Sequence, residues 1–449
     1  MQEIFRHFVV LTLITFFIEP QLRAEDPIRL VEGFPEGYQY HVSCRVEVNG
    51  SLLVPAEKEK SPPKSLPVKG SSVIEYEERV LLTRKTGQVD KTLRIYRKMD
   101  FQRTVGDHPQ EGTIRPEVRR LVVLRLNQVE VPFSPDGPLM WGEIDLVRTD
   151  VFTPALAGLL PAGPVRPDDR WPAATSAVQE LTDMEKIDQG QVECRFGEIT
   201  RLQNRRQAKI YFSGTVSGLN EDGPNRQRLE GSFYFDLESN HLSSISLNGI
   251  SMLLDKDGKE VGRVEGQFTL TRDINHRSRD LSDEALRGLN LEPTDENTRL
   301  LYDNPDLGVR FLHPRRWKVM GVRGWQIAVD DSNGNGMLLT LEPIGQAPTG
   351  AQYLRESTEW LEKQKAKIVA VDPVRRLKND RGEWEHFALE VQFPTEKVIM
   401  DYYVIRQALG GVTIAARLLP DHLAETKRAV ETLAQSLAVI GKISTEEKR

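Results

Sequence analysis

A chain of 449 residues is too long for one ordinary core and predicts two or three domains. With 39% hydrophobic and 28% charged residues and a mean hydropathy of −0.43, its composition is that of a soluble globular protein. A net charge of −6 gives no basic field for nucleic acid, and pairs such as Arg119-Arg120 and Arg205-Arg206 read as solvated surface.

Residues 1–24 have a different character. Arg6 precedes the apolar run Phe8–Ile18 (FVVLTLITFFI), and Leu22-Arg23-Ala24 comes just before Glu25-Asp26. The run is too short to span a bilayer and suits the core of a secretory signal, so a signal peptide cleaved after Ala24 is expected. Export places the mature chain in the periplasm or outside the cell, with no transmembrane segment left after cleavage. In an oxidising compartment Cys44 and Cys194 form one disulfide or stay as two buried thiols, and the sequence leaves both open.

From Tyr38 to Asp273 the chain alternates with period two. YQYHVSCRVEV (38–48), VIEYEERVLL (73–82), VRRLVVLRL (118–126), AKIYFSGTV (208–216), SFYFDL (232–237) and GQFTLT (266–271) all read as strands. Asp257-Gly258 marks a hairpin, and SPPKSLP (61–67) a Pro-rich surface loop. The expectation for 25–275 is a curled antiparallel sheet. The segment 151–183 interrupts it with five prolines and then a helical pattern, which predicts a helix packed across one face.

Within that segment, Leu159, Leu160, Pro161, Pro164, Val165, Asp168, Asp169 and Trp171 form "LLP…PV…DDRW". This resembles exported bacterial β-proteins of unknown function, in which a similar segment separates two groups of strands. A curled sheet with a helix in its concavity is also similar in outline to periplasmic lipoprotein carriers. Outline alone says little about cargo; for a hydrophobic cavity in the β-domain, Trp141 and Trp171, which flank the apolar 151–165 piece, are the candidate groove residues by their placement.

Residues 276–300 are charged and poor in strand formers, and read as a linker. A second domain is expected over 301–441, with strands around 325–330 and 336–342 and a helix over 351–368 bearing Leu354, Leu361 and Ile368 on one stripe. Three further strands follow, then a helix over 421–440 with Asp421 as its N-cap. Residues 442–449 read as a charged tail. The segments NPDLGVRFLHPRRWKV (304–319) and YYVIRQALGGVTIAARLLP (402–420) resemble the PsbP-like family. That resemblance implies an α/β/α sandwich with a central antiparallel sheet and an accessory or binding role, and it brings no catalytic residues. The fold class expected for the whole chain is α+β.

Few motifs bear on chemistry. DSNGNGMLLTLE (331–342) has the spacing of a calcium-binding EF-hand loop, but alternating segments flank it where helices are required. It reads as a β-hairpin loop, the alternative being a calcium site built from Asp330, Asp331, Asn333 and Asn335 without Glu342. There is no G-x-S-x-G, no HExxH and no phosphate-binding loop, so no catalytic residue and no cofactor are assigned. The function expected is that of an exported, non-catalytic binding or structural accessory protein of the cell envelope, its partner an unknown envelope protein. The alternatives are a carrier of an apolar ligand in the curled sheet and a hydrolase whose site is assembled from distant residues.

Overall fold

The computed structural model describes residues 26–54, 63–126, 129–202, 204–379 and 382–443. The expected signal peptide and residues 444–449 of the expected tail lie outside the described residues, as do residues 61–62 of the Pro-rich loop. Lys64–Pro67 of that loop already belong to a strand.

The first body is one antiparallel sheet of twelve strands. In chain order these are β1 (Gln39–Val54), β2 (Lys64–Thr83), β3 (Val89–Val105), β4 (His108–Gly112), β5 (Arg120–Leu126) and β6 (Val129–Phe133). Then come β7 (Arg170–Pro172), β8 (Lys186–Leu202), β9 (Arg205–Asn220), β10 (Gly223–Asp236), β11 (His241–Leu254) and β12 (Glu260–Asp273). The spatial order is β6-β5-β3-β2-β1-β12-β11-β10-β9-β8-β7, with β4 paired to β3 beside β5. The two ends of the run meet at the centre, where β1 pairs β12 with Cys44 opposite Leu270. Gly258, at φ 77°, makes the tight turn between β11 and β12.

Alternation sorts the side chains onto two faces. Tyr40, Val42 and Cys44 of β1, with Ile74 and Tyr76 of β2, point to the inner face and into the main core. That core is filled from outside the sheet by residues 139–184. They comprise helix α1 (Trp141–Arg148), a 3-10 turn over Thr153–Leu159, β7, and helix α2 (Thr175–Thr182). The helix expected late in this segment is present, and α1 is an addition. Glu143 fixes α1 by accepting from Met140 N at 2.8 Å and from Arg115 Nε at 2.8 Å.

Residues 274–291 lie over the lower half of the outer face. Leu281 is buried against Leu93, Ile95, Val122 and Phe133, with Leu286 and Leu291 packed around it. Glu77, on the same face, accepts from Ser278 Oγ at 2.6 Å and from Arg97 Nη2 at 2.5 Å.

The rest of the chain forms two smaller sheets. One is β13 (Leu300–Asn304), β14 (Val309–His313) and β22 (Ala438–Val439). The other has seven strands in the order β15-β16-β17-β21-β20-β19-β18. Its members are β15 (Trp317–Arg323), β16 (Gln326–Asp331), β17 (Gly336–Glu342), β18 (Lys367–Asn379), β19 (Gly382–Gln392), β20 (Lys397–Gln407) and β21 (Gly410–Leu418). Helices α3 (Gly350–Lys363) and α4 (Leu423–Ser436) pack on it. Met400 and Tyr402 belong to the cluster under α3, whereas Tyr403 and Ile405 belong to the cluster under α4.

Two expectations are corrected here. Strands hold 56% of the structure and helix 14%, so the class is mainly β and not α+β. The α/β/α sandwich does not form either. One helix of 14 residues, about 21 Å long, cannot layer a face seven strands and about 29 Å wide. Beside α4 the small sheet supplies Val309, Phe311 and Val439 to the core. On the other face α3 lies mainly over β18, β19 and β20, with Tyr353 reaching Thr413 of β21, and Leu338 of β17 stays 38% exposed.

Helix bounds also moved. Lys365 at φ 59° ends α3, which puts Ile368 in β18 and off the predicted stripe. The residue before α4 is His422 at φ 58°, not Asp421. Thr349 caps α3, its hydroxyl accepting from Gln352 N at 3.1 Å.

Candidate functional site

A trough of about 880 Å3 crosses the upper half of the large sheet on strands β11, β12, β1, β2, β3 and β4. Strand register shows which face it occupies. Its floor is one cross-strand row, Gly249, Gly266, Val48, Gly70, Arg103 and Gln110. These side chains share the inner face with Cys44, so the trough meets only their backbone. One wall is the row Asn248, Gln267, Glu47, Ser71, Gln102 and Glu111, and the other is Ile250, Glu265, Asn49, Lys69, Thr104 and Pro109. Both walls point outward by the period-two rule. The trough therefore lies on the outer face, in the half that residues 274–291 leave open.

Under the floor, Val48 sits between Gly70 and Gly266. A Cβ at Gly70 would come 2.9 Å from Val48 Cγ2 and 3.2 Å from Gln102 O. The glycine is required for that approach.

Most wall groups are uncommitted. Among the described residues, Glu47, Asn49, Lys69, Ser71, Gln102, Glu111, Asn248 and Gln267 make no side-chain hydrogen bond. Arg103 is engaged on the other face, where its Nη2 donates to Gln110 Oε1 at 2.7 Å.

The inner face below carries a buried charge network that holds the sheet to its filling segment. Glu78 and Arg94 are direct cross-strand partners, both fully buried. Arg94 Nε donates to Glu78 Oε1 at 2.8 Å and Nη1 to Asp150 Oδ2 at 2.9 Å. Tyr96 OH donates to Asp150 Oδ2 at 3.0 Å, and Thr153 Oγ1 donates to Glu78 Oε2 at 3.2 Å. Arg125 pairs with Glu180 at 2.8 Å and lies over the Phe152 ring. Burial pushes the Asp150 carboxyl up to about 7, against the pull of Arg94. Burial and then the charge of Glu180 push Glu130 up to about 8. A second buried pair, Glu32 with Arg272, abuts the Tyr40 ring, and burial raises Glu32 to about 7. The network has no place in the trough and acts as a frame.

The residues singled out in the sequence lie apart from one another. Trp171 is core, its Nε1 donating to Leu159 O at 2.9 Å. Trp141 is 37% exposed at the start of α1, with Lys318 Nζ 5.4 Å from its ring centroid. It stands where the two bodies meet, beside the hydrogen bond from Leu301 N to Leu139 O at 2.8 Å. They do not frame a common groove.

Cys44 and Cys194 are free, buried thiols on β1 and β8, with four strands between those two. A disulfide needs Cα atoms within about 7 Å, and the bond considered from the sequence is not formed. Burial raises both thiols, Cys194 to about 12 and Cys44 well above its ordinary value. A thiol reagent is expected to find no reactive cysteine in the native chain and two after unfolding. A mass two daltons below the reduced value would contradict this.

Asp331 ends β16, and its carboxylate takes the hairpin's own donors. Oδ1 accepts from Asn333 N at 2.8 Å and Asn335 N at 2.9 Å, and Oδ2 from Asn335 Nδ2 at 2.9 Å. Asn335 Oδ1 in turn accepts from Leu419 N at 2.8 Å. Asp330 pairs with Gly336 across the hairpin, and Glu342 lies at the far end of β17. Among the described residues no cluster of His, Cys, Asp and Glu is arranged to hold a metal.

Sequence reasoning missed the trough because its walls come from six separated stretches of chain. Only the pairing register brings them together.

No family model matches the chain, and no curated protein matches it. Among solved structures, cyanobacterial PsbP (CyanoP) from Synechocystis sp. PCC 6803 is similar at 14% identity and TM-score 0.26, over 31% of this chain and 92% of that one. The Ran-binding protein Mog1p of Saccharomyces cerevisiae is similar at 9% identity and TM-score 0.25, over 32% and 96%. Lipovitellin is similar at 9% identity and TM-score 0.34, over 65% of this chain and 29% of that one. Likeness at these values carries no argument about function.

Proposed function

We propose that the protein is an exported, non-catalytic binding protein of the cell envelope that holds an extended ligand across the outer face of its large sheet. The observation that supports this is the trough, an open channel most of whose polar wall groups are not used by the fold. Residues 1–24 have the pattern of an export signal, which supports a location in the envelope or beyond it. The PsbP-like sequence segments of the last third are in keeping with an accessory role.

The apolar interior favours this over carriage of a lipid-like ligand. The space an apolar ligand would take on the inner face is filled by Leu156, Leu159, Trp171 and Val178. Among the described residues no helix is long and apolar enough to cross a membrane.

The test is sedimentation of the purified chain with envelope fragments of the organism that makes it. Saturable binding is expected, and Gln267→Trp, which fills the trough from an exposed position, should weaken it about tenfold, or 1.4 kcal/mol. Binding that is absent, or indifferent to Gln267→Trp with folding intact, would overturn the proposal.

A further inference from the structure

We infer that the ligand of the trough is a neutral glycan, a single uncharged chain rich in hydroxyls, laid across the strands. This rests on the binding role proposed above and names its substrate class. Shape comes first. Six adjacent strands span about 24 Å, the two wall rows stand about 7 Å apart centre to centre, and a volume of about 880 Å3 spread over that length is a cross-section of roughly 37 Å2. That admits one extended chain.

The chemistry of the walls then narrows the occupant. A peptide adding to the sheet needs free backbone groups, but five of the six strands of the floor, β11, β12, β1, β2 and β3, are each paired on both sides, and the free edge of the short β4 lies at one end of the trough and not along it. A peptide held by its side chains needs apolar or aromatic anchors in pockets. Ile250 and Pro109 are the apolar side chains among the twelve wall residues, and none is aromatic. A polyanion is disfavoured because Glu47, Glu111 and Glu265 outnumber Lys69.

What remains are groups that both donate and accept. Asn49, Gln102, Asn248 and Gln267 each present a carbonyl oxygen and an NH2, and Ser71 and Thr104 present hydroxyls. A sugar hydroxyl also donates and accepts, so each amide can engage neighbouring hydroxyls with both its ends. The three carboxylates add charge-assisted acceptors. Because the walls repeat once per strand, at about 4.8 Å, they suit a ligand that repeats along its own length.

The experiment is binding of the full chain to an array of neutral oligosaccharides of increasing length, with polygalacturonate and oligolysine as anionic and cationic controls. At least one neutral series is expected to bind, more tightly as its chain lengthens until it crosses the trough. Asn49→Ala with Gln267→Ala should weaken it about tenfold at unchanged thermal stability. Failure of every neutral glycan, with envelope binding still lost in Gln267→Trp, would overturn the glycan and leave the binding role. Oligolysine binding that falls in Glu47→Gln with Glu265→Gln, without any neutral series, would assign the trough to a basic peptide instead. Glycan binding unaffected by the double alanine variant would refute the location.

Discussion

Replacing Arg94 with methionine is expected to cost about 3–5 kcal/mol of folding stability, the largest loss for a single side chain in the first body. The guanidinium is fully buried between Glu78 and Asp150 and also donates to Val151 O at 3.4 Å. Methionine keeps the length of the stem and removes the charge. Two carboxyls would then face each other in an apolar interior with no cation between them, and leaving a buried charge unpaired is what makes such changes costly. The measurement is urea unfolding followed by far-UV circular dichroism, with hydrogen exchange at residues 150–153 as the local readout. Those residues tie the filling segment to the sheet, so their protection should fall first. Adding Glu78→Gln and Asp150→Asn to Arg94→Met should recover much of the loss, because no buried charge is then left without a partner. A cost within about 0.5 kcal/mol, the range of an ordinary surface change, would show that the network does not hold the segment.

That network also marks how far the sequence could be read. The alternation of β1, β9 and β12 identified strands and their core faces, because those strands follow the ordinary rule of apolar in and polar out. β2 and β3 violate it. Glu78 in IEYEERV and Arg94 in KTLRIYRK look like solvent-facing charges, yet register makes them opposite each other on the inner face. One charged residue on an inner face is a contradiction in a sequence. Two opposite charges on neighbouring strands resolve it, and the pairing that unites them is not visible in one dimension. Helix α1 was obscured for a related reason: its cap contact reaches out to Arg115, 28 residues earlier. In the last third, the two helices were legible from their stripes. What was not legible was how little of a seven-stranded sheet they cover, which depends on strand number and not on any helix. The trough is the extreme case, since each wall residue is an unremarkable polar position on a strand and only the order β11-β12-β1-β2-β3-β4 makes a row of them.

The buried carboxyls give the second large effect, a stability that falls as the medium becomes alkaline. Asp150, Glu32 and Glu130 are pushed by burial to about 7, about 7 and about 8, all above the ordinary values near 4 that they regain on unfolding. A carboxyl whose folded pKa is raised binds its proton more tightly in the native state. Its contribution to stability is complete below the unfolded pKa and is lost as pH rises through the folded one. Between pH 5 and pH 8.5 the unfolded chain has already released these protons, and the native chain must give them up inside the core. At about 1.4 kcal/mol per pH unit for each proton that only the native state holds, one such group alone lowers stability by roughly 2–3 kcal/mol between pH 5 and pH 7, so a fall of at least about 2 kcal/mol is expected across the window. Below pH 4.5 the slope reverses. Burial works against the charge of Glu77, but Arg97, Ser278 and His276 hold its pKa low, and protonating it removes their bonds. The measurement is the urea midpoint as a function of pH, in the parent chain and in Glu130→Gln. Glutamine fixes the neutral state of Glu130, whose Oε1 is buried without a partner. The variant should be the more stable of the two at pH 8.5 and close to the parent at pH 5. A midpoint that rises from pH 5 to pH 8.5 would mean that these carboxyls are ionised throughout, and that Arg94, Arg125 and Arg272 outweigh their burial.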